Sequence, residues 1–345
     1  MSVQVAQPRA APVVVGSLTQ RATRPVSSPP QWMIDEAKTV EPESFNPEKH
    51  IAFQKPESIL SMKEIGLEGC GVSVNAASAP FNLFSHDAIR QMRREIFSEQ
   101  VLKECQFSST FNKNMVRGMN HERAPFTYDA WNSPELLAKL SSVAGIDVVP
   151  HIDFEIANIN ITWDGQTKTV VSNPGSNQEP NGSPESAVAW HFDSMPFVCV
   201  VMLSDCSDMV GGETALKLPN GEIKKVRGPS MGTAVVMQGR YIEHQALKAI
   251  GGKERITMVT CLRPKNPLTK DETVLTGVRG ISTLPELYEQ YIEYRLQILK
   301  ERMDTKIKEE KRRREGKQKV FDVDEIRAFL SEQRDFLDSM LTELI

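Results

Sequence analysis

Between residues 187 and 262 the chain breaks into seven short apolar stretches: 187–192, 197–204, 213–218, 222–226, 233–238, 241–247 and 255–262. Turn signals such as Gly211-Gly212, Pro219-Asn220-Gly221 and Gly251-Gly252 separate them. Many short strands with close turns predict an antiparallel sandwich, barrel or jelly roll. An eighth candidate precedes them: Ile152, Phe154, Ile156, Ile159 and Ile161 nearly alternate with polar residues, the mark of a half-buried strand.

Helical patterns flank this β-rich centre on both sides. Over 85–103, Ile89, Met92, Ile96 and Phe97 share a helical spacing behind Ser85, a natural N-cap. A second helix is expected from Ser133-Pro134 to Gly145, with proline at its first position. Two more follow at 284–315 and 322–345. Residues 35–80 read as irregular with short strands, and 164–186, rich in Gly, Asn, Ser and Pro, as a loop able to cover a site. The expected organisation is an N-terminal arm over 1–34, a mainly β core with N-terminal helices over 35–283, and C-terminal helices over 284–345 that pack on the core or lid it.

Composition narrows the function classes. With 345 residues, 40% of them hydrophobic, the chain can bury a sizeable core. A net charge of −4 argues against a surface-wide nucleic-acid footprint. No apolar run approaches the roughly 18 residues that a membrane span needs. Five cysteines without a CxxC pair fit neither a disulfide scaffold nor a structural zinc site, so a reducing, cytoplasmic setting is expected. Residues 1–34 carry Arg9, Arg21 and Arg24 and no acid before Asp35, which reads as a flexible arm, with an organellar transit peptide as the alternative. The basic run Lys311-Arg312-Arg313-Arg314 reads as the solvated face of a long helix, paired at i,i+4 with nearby glutamates.

The chemistry concentrates in Val188-Ala189-Trp190-His191-Phe192-Asp193-Ser194. Residues two apart on a strand point to one face, so His191 and Asp193 present an imidazole and a carboxylate together. His244, on a later strand, supplies a second imidazole. Two His and one carboxylate on one face of a metal leave open positions, the facial triad that suits non-haem Fe(II). Arg255 follows His244 by eleven residues. The competing pair His151 and Asp153 would make His191 the distal ligand, and no Arg or Lys then follows before Lys217; it reads as a structural strand start. Asn158 and Asn160 share one strand face, lining a pocket or a solvated surface. His50, His86 and His121 read as surface or capping residues, and Cys199 and Cys206 as small buried hydrophobes.

His191-x-Asp193, the interval to His244 and the basic residue eleven beyond it resemble the Fe(II)/2-oxoglutarate-dependent dioxygenases. The resemblance covers about 150 to 270 and implies a double-stranded β-helix, a jelly-roll variety. It further implies that His191, Asp193 and His244 hold Fe(II) and that Arg255 pairs with the far carboxylate of 2-oxoglutarate, O2 being the other co-substrate. Thr257 matches an Arg-x-Ser/Thr variant that adds a hydroxyl donor. Gly211-Gly212-Glu213-Thr214 is similar to a segment whose Thr, here Thr214, also contacts 2-oxoglutarate; a plain Gly-Gly hairpin is the other reading. Asn158 and Asn160 are further candidates for that pocket. The wording of 187–265 is similar to a fungal secondary-metabolite branch of the family. Some members of that branch oxidise free amino acids such as valine, including closure to an aziridine. For such a substrate Arg117 and Arg123 are candidate carboxylate partners. The expected partner is thus a small molecule, with no nucleic acid and no membrane, in a monomer or homodimer. The alternatives are an oxygenase acting on a protein or other macromolecule, a zinc hydrolase, and a non-catalytic metal-binding β-sandwich.

Overall fold

The computed structural model describes residues 10–16, 24–25, 27–109, 112–163, 186–226, 230–316 and 321–345. It is a β-rich antiparallel structure with flanking helices. The large sheet runs, in spatial order, through strands Ile59–Ser61, Asn75–Ser78, Thr233–Met237, Phe197–Met202, Glu254–Pro264, Asn158–Trp163, Met115–Val116 and Gln106–Phe107. The small sheet has the order Ile223–Val226, Thr214–Lys217, Glu243–Leu247 and Ser186–His191. A ribbon pairs Val210–Gly211 with Ala249–Ile250.

The Glu254–Pro264 strand organises the large sheet, pairing with Phe197–Met202 on one side and Asn158–Trp163 on the other. Strand alternation divides its side chains between two apolar clusters. Ile256, Met258 and Leu262 enter a cluster with residues of the helices His86–Ile96, Pro125–Asn132 and Pro134–Ala144. Fully buried Trp131 anchors that side, its Nε1 donating to the Met258 sulfur. On the opposite face, Cys261 and Val259 join Leu216 of the small sheet and Leu287, Tyr291 and Ile298 of the C-terminal helix Leu284–Glu315. Arg255 and Thr257 alternate onto this second face, as do their register partners Thr162 and Asn160.

Most expected elements lie within a residue or two of their predicted bounds, and Ser85 and Ser133 cap their helices through side-chain oxygens that accept from Ala88 N and Leu136 N. Three differ. The helix expected over 85–103 is two helices, His86–Ile96 and Glu99–Glu104, because Ser98 accepts from Val101 N and restarts the chain as a second N-cap. The strand expected from Ile152 begins at Asn158; Asp153–Glu155 is a 3₁₀ turn, and Ala157 takes φ 56° while its N–H donates to Thr260 Oγ1. The expected arm over 1–34 is not free where it is described. Val14 is buried, Arg240 Nη1 donates to Pro12 O, and a helix from Gln31 to Lys38 buries Met33 and Ala37 against the helical side. The loop expected at 164–186 lies, up to residue 185, outside the described residues. In the basic run, Arg313 pairs with Glu310 at 3.3 Å and with Glu325 of the last helix at 2.6 Å.

Polar contacts fasten the C-terminal helices. Arg295 is fully buried, 3.3 Å from Asp271, and Nη2 donates to Phe336 O at 3.1 Å while the guanidinium lies 3.6 Å from the Phe336 ring. Glu343, at the end of the helix Val323–Glu343, accepts from Leu275 N at 2.6 Å and pairs with Arg279 at 2.5 Å. Burial alone would raise the Asp271 carboxyl, but the charges of Arg295 and His151 and the hydrogen bonds from Thr273 together outweigh it and hold the group below the ordinary carboxylate range. Its stabilisation is therefore present above the unfolded carboxylate pKa and lost as pH falls through the lower folded one. Arg295→Ala, which strands a buried charge, should lower the unfolding free energy by about 3–5 kcal/mol in denaturant titrations. Asp271→Asn should remove part of the acid limb of the stability profile.

Candidate metal and cosubstrate site

His191 is the last residue of the Ser186–His191 strand and lies directly opposite His244 in the antiparallel register of the small sheet. Their rings stand 4.2 Å apart, centroid to centroid. Asp193 follows two residues later, where its N–H donates to Gly239 O at 2.9 Å. Ser194 ties the same turn to the segment before the C-terminal helices: its carbonyl accepts from Val274 N at 3.0 Å and its Oγ from Gly277 N at 3.1 Å.

Each imidazole is held by its far nitrogen. Nδ1 of His191 lies 2.8 Å from Ala189 O, and Nδ1 of His244 lies 2.9 Å from Ile242 O. A carbonyl can only accept, so both Nδ1 atoms carry the proton and both Nε2 atoms are left as the potential donors to a metal. Those two atoms face Asp193, His191 Nε2 at 3.4 Å from Oδ1 and His244 Nε2 at 3.5 Å from Oδ2. Ligand atoms of the three residues lie within 4.8 Å of one another. Asp193 Oδ2 is buried without a hydrogen-bond partner. A carboxylate oxygen desolvated and left unpaired is costly, and a cation shared with the two Nε2 atoms removes that cost. The residues fit a divalent metal.

Protonation follows the same geometry. Burial pushes His244 down to about 4 against the pull of Asp193. At His191 burial acts in the same sense but is overcome by the hydrogen bond and charge of Asp193, so it is raised. Asp193 is lowered; burial opposes this, and the two imidazoles prevail.

The glycine at 239 is part of the site, and sequence reasoning missed it. A Cβ there would lie 1.8 Å from Asp193 Oδ2, so only glycine leaves room for the carboxylate. Nothing in the spacing signals this contact, which joins residues 46 apart.

Arg255 lies on the Glu254–Pro264 strand, half-buried, with Nη2 donating to Gly212 O at 3.3 Å. Among the described residues it has no ion-pair partner. Gly212 backs it closely, since a Cβ at that position would sit 3.3 Å from Arg255 Nε. The Gly-Gly pair is not a hairpin tip: Gly211 belongs to the short ribbon, both glycines take positive φ, and the chain then enters the small sheet at Thr214. Thr257 is buried two residues beyond Arg255, paired in register with Asn160.

Asn158 and Asn160 share the face of Thr257 and Arg255 but are occupied there. Asn158 Nδ2 donates to Glu155 Oε2 at 2.7 Å, leaving Asn158 Oδ1 buried and unpaired, while Asn160 Oδ1 accepts from Asn112 Nδ2 at 2.9 Å. Neither candidate for a substrate carboxylate is free. Arg117 is buried against Glu155 at 2.5 Å and donates through Nε to Ile281 O, and Arg123 pairs with Glu104 at 2.6 Å. His151 is structural, buried with Nε2 2.8 Å from Thr273 Oγ1, and desolvation pushes it down to about 3. His86 and His121 are exposed, but His50 is fully buried, its Nδ1 accepting from Asn46 N. Cys199 and Cys206 are buried and form no disulfide.

No family model and no curated protein matches the chain. Solved structures similar to it include a 2OG-Fe(II) oxygenase family oxidoreductase from Burkholderia pseudomallei, 13% identical with TM-score 0.32 over 43% of this chain and 65% of that one. A prolyl-4-hydroxylase from Pseudomonas putida is 15% identical, with TM-score 0.32 over 52% of this chain and 88% of that one. The non-heme alpha ketoglutarate dependent epimerase SnoN from nogalamycin biosynthesis is 16% identical, with TM-score 0.35 over 52% and 73%. These likenesses are distant, and the geometry above carries the functional reading.

His191→Ala or His244→Ala should abolish tight binding of Mn(II) in anaerobic calorimetry while leaving the circular dichroism spectrum intact. Gly239→Ala keeps all three ligands yet should weaken the metal by about 10–100-fold, the usual size of a defect in what supports a ligand.

Proposed function

We propose that the chain is an Fe(II)/2-oxoglutarate-dependent oxygenase. The observation that carries this reading is the unpaired, buried Asp193 Oδ2 facing two Nε2 atoms whose Nδ1 protons are fixed on backbone carbonyls. Three protein ligands on one side leave the opposite side of an ion open, as a chelating co-substrate and O2 require. The two antiparallel sheets, with both histidines on the small one and Arg255 on the large one, suit a double-stranded β-helix.

In this reading His191, Asp193 and His244 hold Fe(II), and Asp193 offsets one of its charges. Arg255, a cation with no acidic partner among the described residues, binds the far carboxylate of 2-oxoglutarate, and burial strengthens that pairing. Thr257 and Thr214 are the candidate hydroxyl donors to the same co-substrate. When bound, Fe(II) and 2-oxoglutarate supply the oxidising power: O2 converts 2-oxoglutarate to succinate and carbon dioxide, and the substrate is hydroxylated, desaturated or cyclised. The substrate we favour is a small molecule, a free amino acid such as valine being the first compound to test. Its carboxylate needs a partner other than Arg117 or Arg123, both already paired.

Anaerobic addition of Fe(II) and 2-oxoglutarate to the metal-free protein should produce the weak visible charge-transfer band of an iron chelate, and a substrate should perturb it. Tight zinc binding with no such band would overturn the assignment. In succinate-release assays, Arg255→Ala should cost about 2–5 kcal/mol of 2-oxoglutarate binding, and Arg255→Lys should recover only part of it, because a lysine cannot present the bidentate fork.

A further inference from the structure

The helix Val323–Glu343 is apolar around more of its circumference than the rest of the molecule covers. Its buried residues are Gln333, Phe336, Met340 and Glu343. Polar contacts to the neighbouring helix Leu284–Glu315 come from Glu325, Gln333, Phe336 and Ser339. Beside that face, turned away from the neighbouring helix, runs a second row: Val323 (56% exposed), half-buried Ile326, Leu330 (52%), Leu337 (40%), Leu341 (71%) and Leu344 (37%). At 3.6 residues per turn these six fall within an arc of about 60°. Isolated exposed leucines are ordinary, but an aligned row along a whole helix marks a contact surface.

The spacing of the row identifies its occupant. The steps are three, four, seven, four and three residues, the same read from either end. Val323 and Leu344, Ile326 and Leu341, and Leu330 and Leu337 are each equidistant from a midpoint between Gln333 and Arg334. Two copies of the helix laid antiparallel about a two-fold axis through that midpoint would set every apolar residue against another, in the three-four rhythm that packs knobs into holes. Charge chooses antiparallel over parallel. Arg327 and Asp338 lie on the same solvent-side flank of the row, nearly equidistant from the midpoint, so the antiparallel pair joins Arg327 to the Asp338 of the other copy twice. In a parallel pair the two copies of this flank would lie on opposite sides of the seam, so Arg327 and Asp338 would not meet. Arg334, next to the axis, already has an acidic neighbour in Asp335 at 3.1 Å.

We propose that this row is the seam of a homodimer in which the last helix of each copy packs antiparallel against its counterpart. The proposal is independent of the enzymatic reading. Sedimentation velocity on the full chain across the micromolar range should give the mass of two chains; a single-chain mass throughout would overturn it. Leu341→Asp, at the most exposed position, should give a monomer with unchanged helical circular dichroism. Leu296→Asp, on the neighbouring helix and similarly exposed at 50%, should leave the dimer intact, and the reverse pattern would refute the seam. Arg327→Asp and Asp338→Arg should each weaken dimerisation about tenfold, and the double variant should recover it. A double variant no better than the singles would rule out the antiparallel register.

Discussion

The structure turns on one cross-strand register, His191 opposite His244. In a sheet the side-chain period is two, so a slip by one residue on either strand would send one imidazole to the other face. The small sheet guards against that slip by burying Leu216 opposite His244 on the same face. Asp193 then needs no strand of its own. The chain turns just beyond His191, and the hydrogen bond to Gly239 returns the carboxylate beneath both rings. The sheet register thus sets the two imidazoles, and the Gly239 contact sets the carboxylate.

A comparison of the buried arginines shows what is unusual about Arg255. Arg93 has Glu254 and the carbonyl of Leu203; Arg117 has Glu155 and Ile281 O; Arg295 has Asp271 and Phe336 O. Arg240 and Arg302 each meet two backbone carbonyls. These are the arrangements expected where a guanidinium leaves water for good. Arg255 meets one carbonyl at 3.3 Å and no acid among the described residues.

Local features of the fold were legible in the sequence and distant ones were not. Strands at 197–204, 213–218 and 233–238 announce themselves as short apolar stretches between turn signals, and Pro134, Ser85 and Gly145 mark helix ends by their own chemistry. The three candidate ligands were singled out by their spacing, but the strand argument for His191 and Asp193 does not hold: the strand ends at His191, and it is the turn beyond it, fastened to Gly239, that carries Asp193. The break at Ser98 was hidden: an apolar spacing that runs through 96 and 97 conceals a capping serine. Arg117 looked available because its partner Glu155 is supplied by a 3₁₀ turn 38 residues away. Gly239 gave no sign, since its role is to lack an atom where a distant carboxylate must fit. The docking of Met33 and Val14 was equally invisible in a composition that resembles an unstructured tail.

The turn bearing Asp193 is also the neighbour of Ser194, which holds Val274 and Gly277, and the intervening Leu275 is held by Glu343 at the end of the last helix. One short relay of hydrogen bonds thus joins the acidic ligand to the C-terminus of the described fold. By thermodynamic reciprocity, whatever steadies one end steadies the other by the same free energy. Any coupling that this relay carries is mutual: an ion at Asp193 that favoured docking of the final helix would be favoured by that docking to the same extent. Asp193 and Glu343, 150 residues apart in the chain, are by this route only a few hydrogen bonds apart in the fold.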